Sequence, residues 1–198
     1  MKDTRCCHAG CKNVASTFAV VANESSAPTK IPFCSHHVKD LGMDYLLPNL
    51  ASFDPNTIGT DYEECRLHTV LFQYEPERFL LILKNVDTRS VLVVPTSYDQ
   101  AMAVVYALDK IDYHKYPTTH SLIVIIMNAA GASPLEAVVY NFEPAVDAYS
   151  TNLTIKTQNS TVNVHCRISD AVAISVREKI PIKINKTLLG RDVSNTHE

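Results

Sequence analysis

His165-Cys166-Arg167-Ile168-Ser169-Asp170-Ala171-Val172-Ala173, followed by Pro181-Ile182, is the stretch from which the fold of this chain can be read. Thr161 to Cys166 has strand character behind the turn residues Asn159-Ser160. Ser169 then reads as an N-cap, its hydroxyl accepting a first-turn amide, for a helix from Asp170 to Lys179. Pro181 to Ile184 makes a closing strand.

The same grammar recurs upstream. Leu135 to Phe142 and Ala148 to Ile155 read as strands. Thr118 or Thr119 caps an apolar segment from His120 to Ala130, which Gly131 closes in a left-handed position before Pro134. That helix is apolar nearly all round and is therefore predicted to be central. Ser97-Tyr98-Asp99-Gln100 is a capping box opening a helix over about 98–110, with Ala101, Val104, Val105 and Leu108 at helical spacing. Before it, His68 to Tyr74, Arg78 to Leu83 and Val91 to Val94 read as a three-strand meander. The expected class is α+β: a mixed β-sheet domain with about three helices. A duplicated β-β-α unit is an open reading, since Ser97 and Ser169 each follow a strand group.

Residues 1–47 differ in kind, holding four of the six cysteines and three of the eight histidines. Cys7-x-x-x-Cys11 and Cys34-Ser35-His36-His37 are two short-spaced ligand pairs, the way a chain closes a tetrahedral Zn²⁺ site from two local turns. Val14 to Val21 and Ile31 to Phe33 flank a turn-rich segment and read as a hairpin, and Val38 to Leu47 can begin as a helix. The preferred ligands are Cys7, Cys11, Cys34 and His37, with Cys6 or His36 as substitutes. About fifty residues build little core unaided, so a structural zinc would supply folding free energy. A reduced cysteine-rich segment without metal is the competing reading. The expected layout is a zinc-binding module over 1–47, a linker over 48–64, the α+β domain over 65–191 and a tail over 192–198.

The formal net charge is −3, with 5 basic against 4 acidic residues up to position 50 and 13 against 17 beyond it. Neither part carries the basic excess that tight, constitutive nucleic-acid binding requires, so such binding is expected to be weak or transient. Met1 to His8 lacks the apolar core of a secretory signal, and no apolar run approaches the roughly 20 residues of a membrane span. The expectation is a cytoplasmic protein without a membrane partner, whose clustered cysteines point to metal rather than disulfides.

Three motifs carry a resemblance. Tyr116-Pro117-Thr118-Thr119-His120-Ser121-Leu122, the Arg167 segment with its downstream Pro181-Ile182, and Ser97-Tyr98-Asp99-Gln100-Ala101-Met102-Ala103 are similar to the helix starts of the bifunctional nuclease (BFN) family. The resemblance covers about Cys65 to Leu189, and the N-terminal module resembles treble-clef zinc modules. The family resemblance implies a nuclease acting on DNA or RNA, and dimers or larger rings. Gln100, Ser121 and His165 stand where the family prefers acidic residues, so a divalent cation held by those carboxylates for catalysis would lose ligands here.

The candidate catalytic residues are His120, Arg167, Asp170, Thr119 and His165. His120 has a side chain suited to general acid–base work, and the alternative is a structural histidine bonded to backbone. Arg167 can clamp a phosphate or pair with Asp170. Asp170 suits a helix N-terminus in its own right. His120, His165 and Arg167 together would make a metal-independent set suited to RNA. Cys65 and Cys166 are read as buried packing. Two functions follow: a nuclease hydrolysing phosphodiester bonds, or a non-catalytic interaction or regulatory protein whose zinc module meets a protein partner and whose body is an oligomerising scaffold.

Overall fold

In a computed structural model, residues 4–21, 29–34, 36–37, 61–74, 77–109 and 116–191 are described. The strands are β1 (Thr17–Val21), β2 (Thr29–Phe33), β3 (Tyr62–Tyr74), β4 (Glu77–Asn85), β5 (Ser90–Thr96), β6 (Ser133–Glu143), β7 (Ala148–Lys156), β8 (Thr161–Cys166), β9 (Ile182–Asn185) and β10 (Gly190–Arg191). The helices are α1 (Tyr98–Asp109), α2 (Thr119–Ala129) and α3 (Ile168–Glu178). The class is the expected one, α+β with a mixed sheet and three helices.

The sheet runs β10-β5-β4-β3-β9-β6-β7-β8. β9 is its seam, antiparallel to β3 and parallel to β6. On either side lies an antiparallel meander ending in a helix: β3-β4-β5 with α1, and β6-β7-β8 with α3. The repeat suggested by the serine-led segments exists at the level of topology, as β-β-β-α. Val104 of α1 and Val172 of α3 are fully buried with Leu81, Leu83, Val139 and Ile184 in the main core. A smaller cluster of Ala19, Leu71, Leu80, Ile82 and Val93 occupies the other face of the sheet.

Several local expectations have their bonds. Gln100 Oε1 accepts from the Ser97 amide while Ser97 Oγ accepts from the Gln100 amide, which is the capping box of α1. Thr118 caps α2 through the Ser121 amide. Gly131 (φ 71°) closes α2 as foreseen: its amide reaches Asn128 O and the next amide reaches Met127 O.

Other expectations are corrected. Ser169 is not the cap of α3: Arg167 holds that position without a side-chain bond, and Ser169 is buried as the second residue of the first turn. A serine before an aspartate looks the same from sequence at either position. The α2 helix is not central, because only Ser121 and Val124 are buried while Leu122, Ile123, Ile125 and Ile126 are 46, 41, 50 and 58% exposed. An unbroken apolar run carries no periodicity to say which side faces inward.

β3 begins at Tyr62, inside the expected linker, whereas 38–60 and the tail 192–198 lie outside the described residues, as does the helix expected from Val38. Nor does the N-terminal hairpin stand apart from the body. β1 pairs with β3 from Thr17↔Gln73 to Val21↔Thr69, and Val20 enters the main core.

Candidate functional site

Two polar centres stand out. The first is in the N-terminal segment, where Cys6, Cys11, Cys34 and His37 bring their donor atoms within 4.8 Å of one another. The edges are Cys6 Sγ to His37 Nδ1 3.5 Å, Cys34 Sγ to His37 Nδ1 3.3 Å and Cys11 Sγ to Cys34 Sγ 3.8 Å. A tetrahedral ion with metal–sulfur bonds of about 2.3 Å and a metal–nitrogen bond of about 2.0 Å needs donor separations of roughly 3.8 Å and roughly 3.5 Å. The cluster therefore fits a four-coordinate metal ion.

Cys6, not Cys7, completes the set. The Arg5–Val14 bridge and the bond from the Cys7 amide to Pro32 O fix which of the two neighbours faces inward, leaving Cys6 buried and Cys7 exposed. Adjacent cysteines have nearly the same spacing to Cys11, so no sequence signal separates them. His36 is exposed and edge-on to the His37 ring, outside the donor set.

The turn that brings Cys11 round is closed by its amide on His8 O and carries Gly10 at φ 80°. His8 stacks flat on His37 at 3.9 Å, holding the imidazole in place. Burial opposes ionisation of Cys34, yet the His37 and His36 amides, the Asn13 side chain and Cys11 outweigh it and hold the thiol at about 6. Its hydrogen bond to Cys6 pushes His37 upward against the effect of burial.

The second centre lies where two helix starts meet. His120, in the first turn of α2, places Nε2 3.1 Å from Oδ1 of Asp170 in the first turn of α3. The side chains are 15% and 40% exposed, so the pair is shielded but reachable. Asp170 thus pairs with the histidine rather than with Arg167, the alternative considered from sequence. Arg167 is exposed at the N-cap of α3, where no side chain caps the helix, and first-turn amides left in that way can face an anion. Thr119 is exposed beside His120.

His165 does not join them. Its neighbour Cys166 packs on the helix side with Val124, Leu153 and Ile174, so strand alternation turns His165 to the opposite face, where Nδ1 lies 3.4 Å from the Tyr140 hydroxyl. The two other positions where the family prefers acid bond to the cap regions of their helices: Gln100 also accepts from Thr96, and Ser121 is buried against the cap Thr118. Burial, and then the Asp170 charge, push Cys166 up to about 11, and burial with Glu63 and Glu64 pushes Cys65 up to about 12. Both remain thiols at neutral pH and are packing residues, not nucleophiles.

A doubled meander-and-helix body with a histidine–carboxylate pair at its joined helix starts is an α+β domain with one polar centre on its helical side. The family model of the bifunctional nuclease domain matches residues 81–196, more than half of the chain, and the chain belongs to that family. Membership suggests a nuclease-like function and hence contact with nucleic acid. No curated protein matches the chain. Among the described residues no helix is long and apolar enough to cross a membrane.

Proposed function

We propose that the body hydrolyses phosphodiester bonds of nucleic acid, with RNA the substrate its residues suit best. The observation behind this reading is the His120–Asp170 contact at the meeting of two helix N-termini. Asp170 orients the imidazole through Nε2, which leaves Nδ1 for proton transfer. Nδ1 takes the proton of the 2′-hydroxyl as its oxygen bonds to phosphorus, the P–O5′ bond breaks with the leaving oxygen protonated by water, and a second water, deprotonated at the same histidine, opens the resulting 2′,3′-cyclic phosphate to complete the hydrolysis. Arg167 and the open amides of α3 face the charge that grows on the phosphoryl oxygens.

Among the described residues His120 and Asp170 belong to no group of three or more possible metal donors, so a divalent cation here would take the rest of its shell from substrate and water. Zn²⁺ is the ion we assign to Cys6, Cys11, Cys34 and His37, in a structural role, because four protein donors leave no position for water. The test of the nuclease reading is labelled single-stranded RNA and DNA incubated with metal-analysed protein, with Mg²⁺, with Mn²⁺ and with chelator. RNA cleavage that disappears in His120→Ala supports it, and equal cleavage by both proteins sinks it. Cleavage by neither favours the second reading, a non-catalytic scaffold that meets a protein partner through its metal-binding segment.

Self-association belongs to both readings and rests on α2. Its exposed Leu122, Ile123, Ile125 and Ile126 form a continuous aliphatic face with no charged residue in the helix. That face offers several hundred Å², on the scale of the largest patch on an ordinary monomer, and a second copy can cover it in a self-complementary pairing. Ile125→Lys with Ile126→Glu is expected to shift the protein to a smaller species in light scattering while leaving its circular dichroism intact. A wild-type protein that already runs as a monomer at the same concentration removes this proposal.

A further inference from the structure

β8 is the last strand of the sheet: it pairs with β7 from Thr151↔Cys166 to Lys156↔Thr161 and, among the described residues, with no strand on its other side. Thr161 to His165 are exposed and Cys166 is half-buried. A row of open amides and carbonyls is a template for another strand, and proteins ordinarily blunt it with charge, proline, a bulge or brevity. The far edge is blunted in that way, since β10 is two residues long and β5 behind it carries Pro95. β8 has none of these devices: Thr161-Val162-Asn163-Val164-His165-Cys166 holds no Lys, Arg, Asp, Glu or Pro, and its register with β7 is unbroken.

The side chains of the edge point to what covers it. Val162 and Val164 are 44% and 43% exposed, and their cross-strand partners Ile155 and Leu153 pack in one cluster with Val124 and Met127 of α2. The two valines therefore stand on the helical side of the sheet, at the rim of the ground that α2 covers. Alone, the aliphatic face of α2 falls short of the about 800 Å² per partner that a stable dimer buries, and the β8 edge beside it extends the same surface. A two-fold axis perpendicular to the sheet keeps both helical sides on one face, so one identical neighbour covers β8 and α2 together. With Asn163 on that axis in an antiparallel pairing, Val162 of each copy meets Val164 of the other, and no charge meets a like charge.

We propose that β8 is the joint of a homodimer: two copies pair β8 to β8, antiparallel and centred on Asn163, into one continuous sheet with the two α2 helices flanking the seam. The proposal rests on the self-association reading and adds to it the strand, the register and the symmetry. Main-chain bonds along the edge supply affinity, and the valine pairs fix the alignment. The joint also sets the His120–Asp170 centres of the two copies on one side of the joined sheet, because α2 and α3 both pack on that side.

The full-length, metal-loaded protein is measured by light scattering over a concentration series beside Val162→Lys/Val164→Lys. Lysines at these exposed positions are expected to leave circular dichroism unchanged and to raise the dissociation constant of the dimer at least about tenfold. The register is read by cross-linking in a Cys7→Ser background, which removes the exposed native cysteine. Residues paired on the axis lie about 4.5–5.5 Å apart between Cα atoms, within disulfide range. Asn163→Cys is therefore expected to give a dimer band on mild oxidation that dithiothreitol removes. Thr161→Cys, also exposed on this strand, lies roughly 13 Å from its own copy in this register and is expected to stay a monomer band. A wild-type monomer at every concentration removes the self-association reading and this joint with it, leaving the edge to an extended segment of another protein. A wild-type dimer that keeps its affinity in the lysine variant, or that fails to link through position 163, overturns the joint alone. Should the double lysine variant melt early, Val164→Lys by itself gives the same comparison.

Discussion

Cys6→Ser is expected to leave the protein without its metal ion and with a markedly lower melting temperature, whereas Cys7→Ser keeps one ion per chain. The two cysteines are neighbours, yet only Cys6 lies in the donor set with Cys11, Cys34 and His37. A structural Zn²⁺ contributes on the order of 10 kcal/mol of apparent folding free energy to a small module. Its loss frees the His8–Cys11 turn and the Cys34–His37 turn together, and β1 between them carries the damage to β3. Metal analysis of the purified variants checks the first part and thermal melts the second. In the metal-loaded wild type, Cys7 is expected to be the cysteine of the cluster segment that reacts readily with iodoacetamide, and a chelator brings Cys6, Cys11 and Cys34 into reach.

The pH dependence has a definite sign. Cys34 is depressed from 9.0 to about 6, so its thiolate adds stability that is fully present above pH 9 and is lost as pH falls through about 6. Protons compete with metal for the same sulfur, so metal retention also falls on acidification, at a pH below that at which the metal-free thiolate is protonated. A metal content indifferent to pH would contradict thiolate and imidazole donors.

His120→Ala is expected to lower RNA cleavage by about 10²–10⁴-fold, the usual contribution of a positioned acid–base group. Asp170→Asn is expected to fall between that variant and the wild type, since an amide can still bond Nε2 at 3.1 Å but no longer supplies a charge for the imidazolium. Asp170 also sits in the first turn of α3, where losing a carboxylate costs about 0.3–1 kcal/mol. Thermal melts should therefore move little in either variant while the rates collapse. Melts that fall together with the rates would return both residues to a structural role.

What could be read from sequence divides by range. Capping is local, so Ser97-Gln100, Thr118 and Gly131 gave themselves away through residues three or four apart. Ser169 misled because the true cap, Arg167, makes no side-chain bond that a motif could announce. The interior place expected for α2 failed because Leu122, Ile123, Ile125 and Ile126 remove the polar stripe from which orientation is inferred. The meeting of His120 with Asp170 spans 50 positions, and the motifs placed each at a helix start without giving the distance between them. His165 was drawn toward them by its nearness to Arg167, although a strand sends adjacent side chains to opposite sides.

The shared edge of β3 also bears on how far the family domain is autonomous. β3 gives Tyr62–Cys65 to β9 and Thr69–Gln73 to β1 along one side, with β4 on the other. A fragment trimmed to residues 81–196 would discard this strand and the opening of β4, leaving the amides of β4 and β9 open to another chain and Leu81, Leu83 and Ile184 short of their packing neighbours. Such a fragment invites aggregation. The stretch recognisable by descent is shorter than the stretch that folds, and the cysteine-bearing hairpin is part of the masonry of the body.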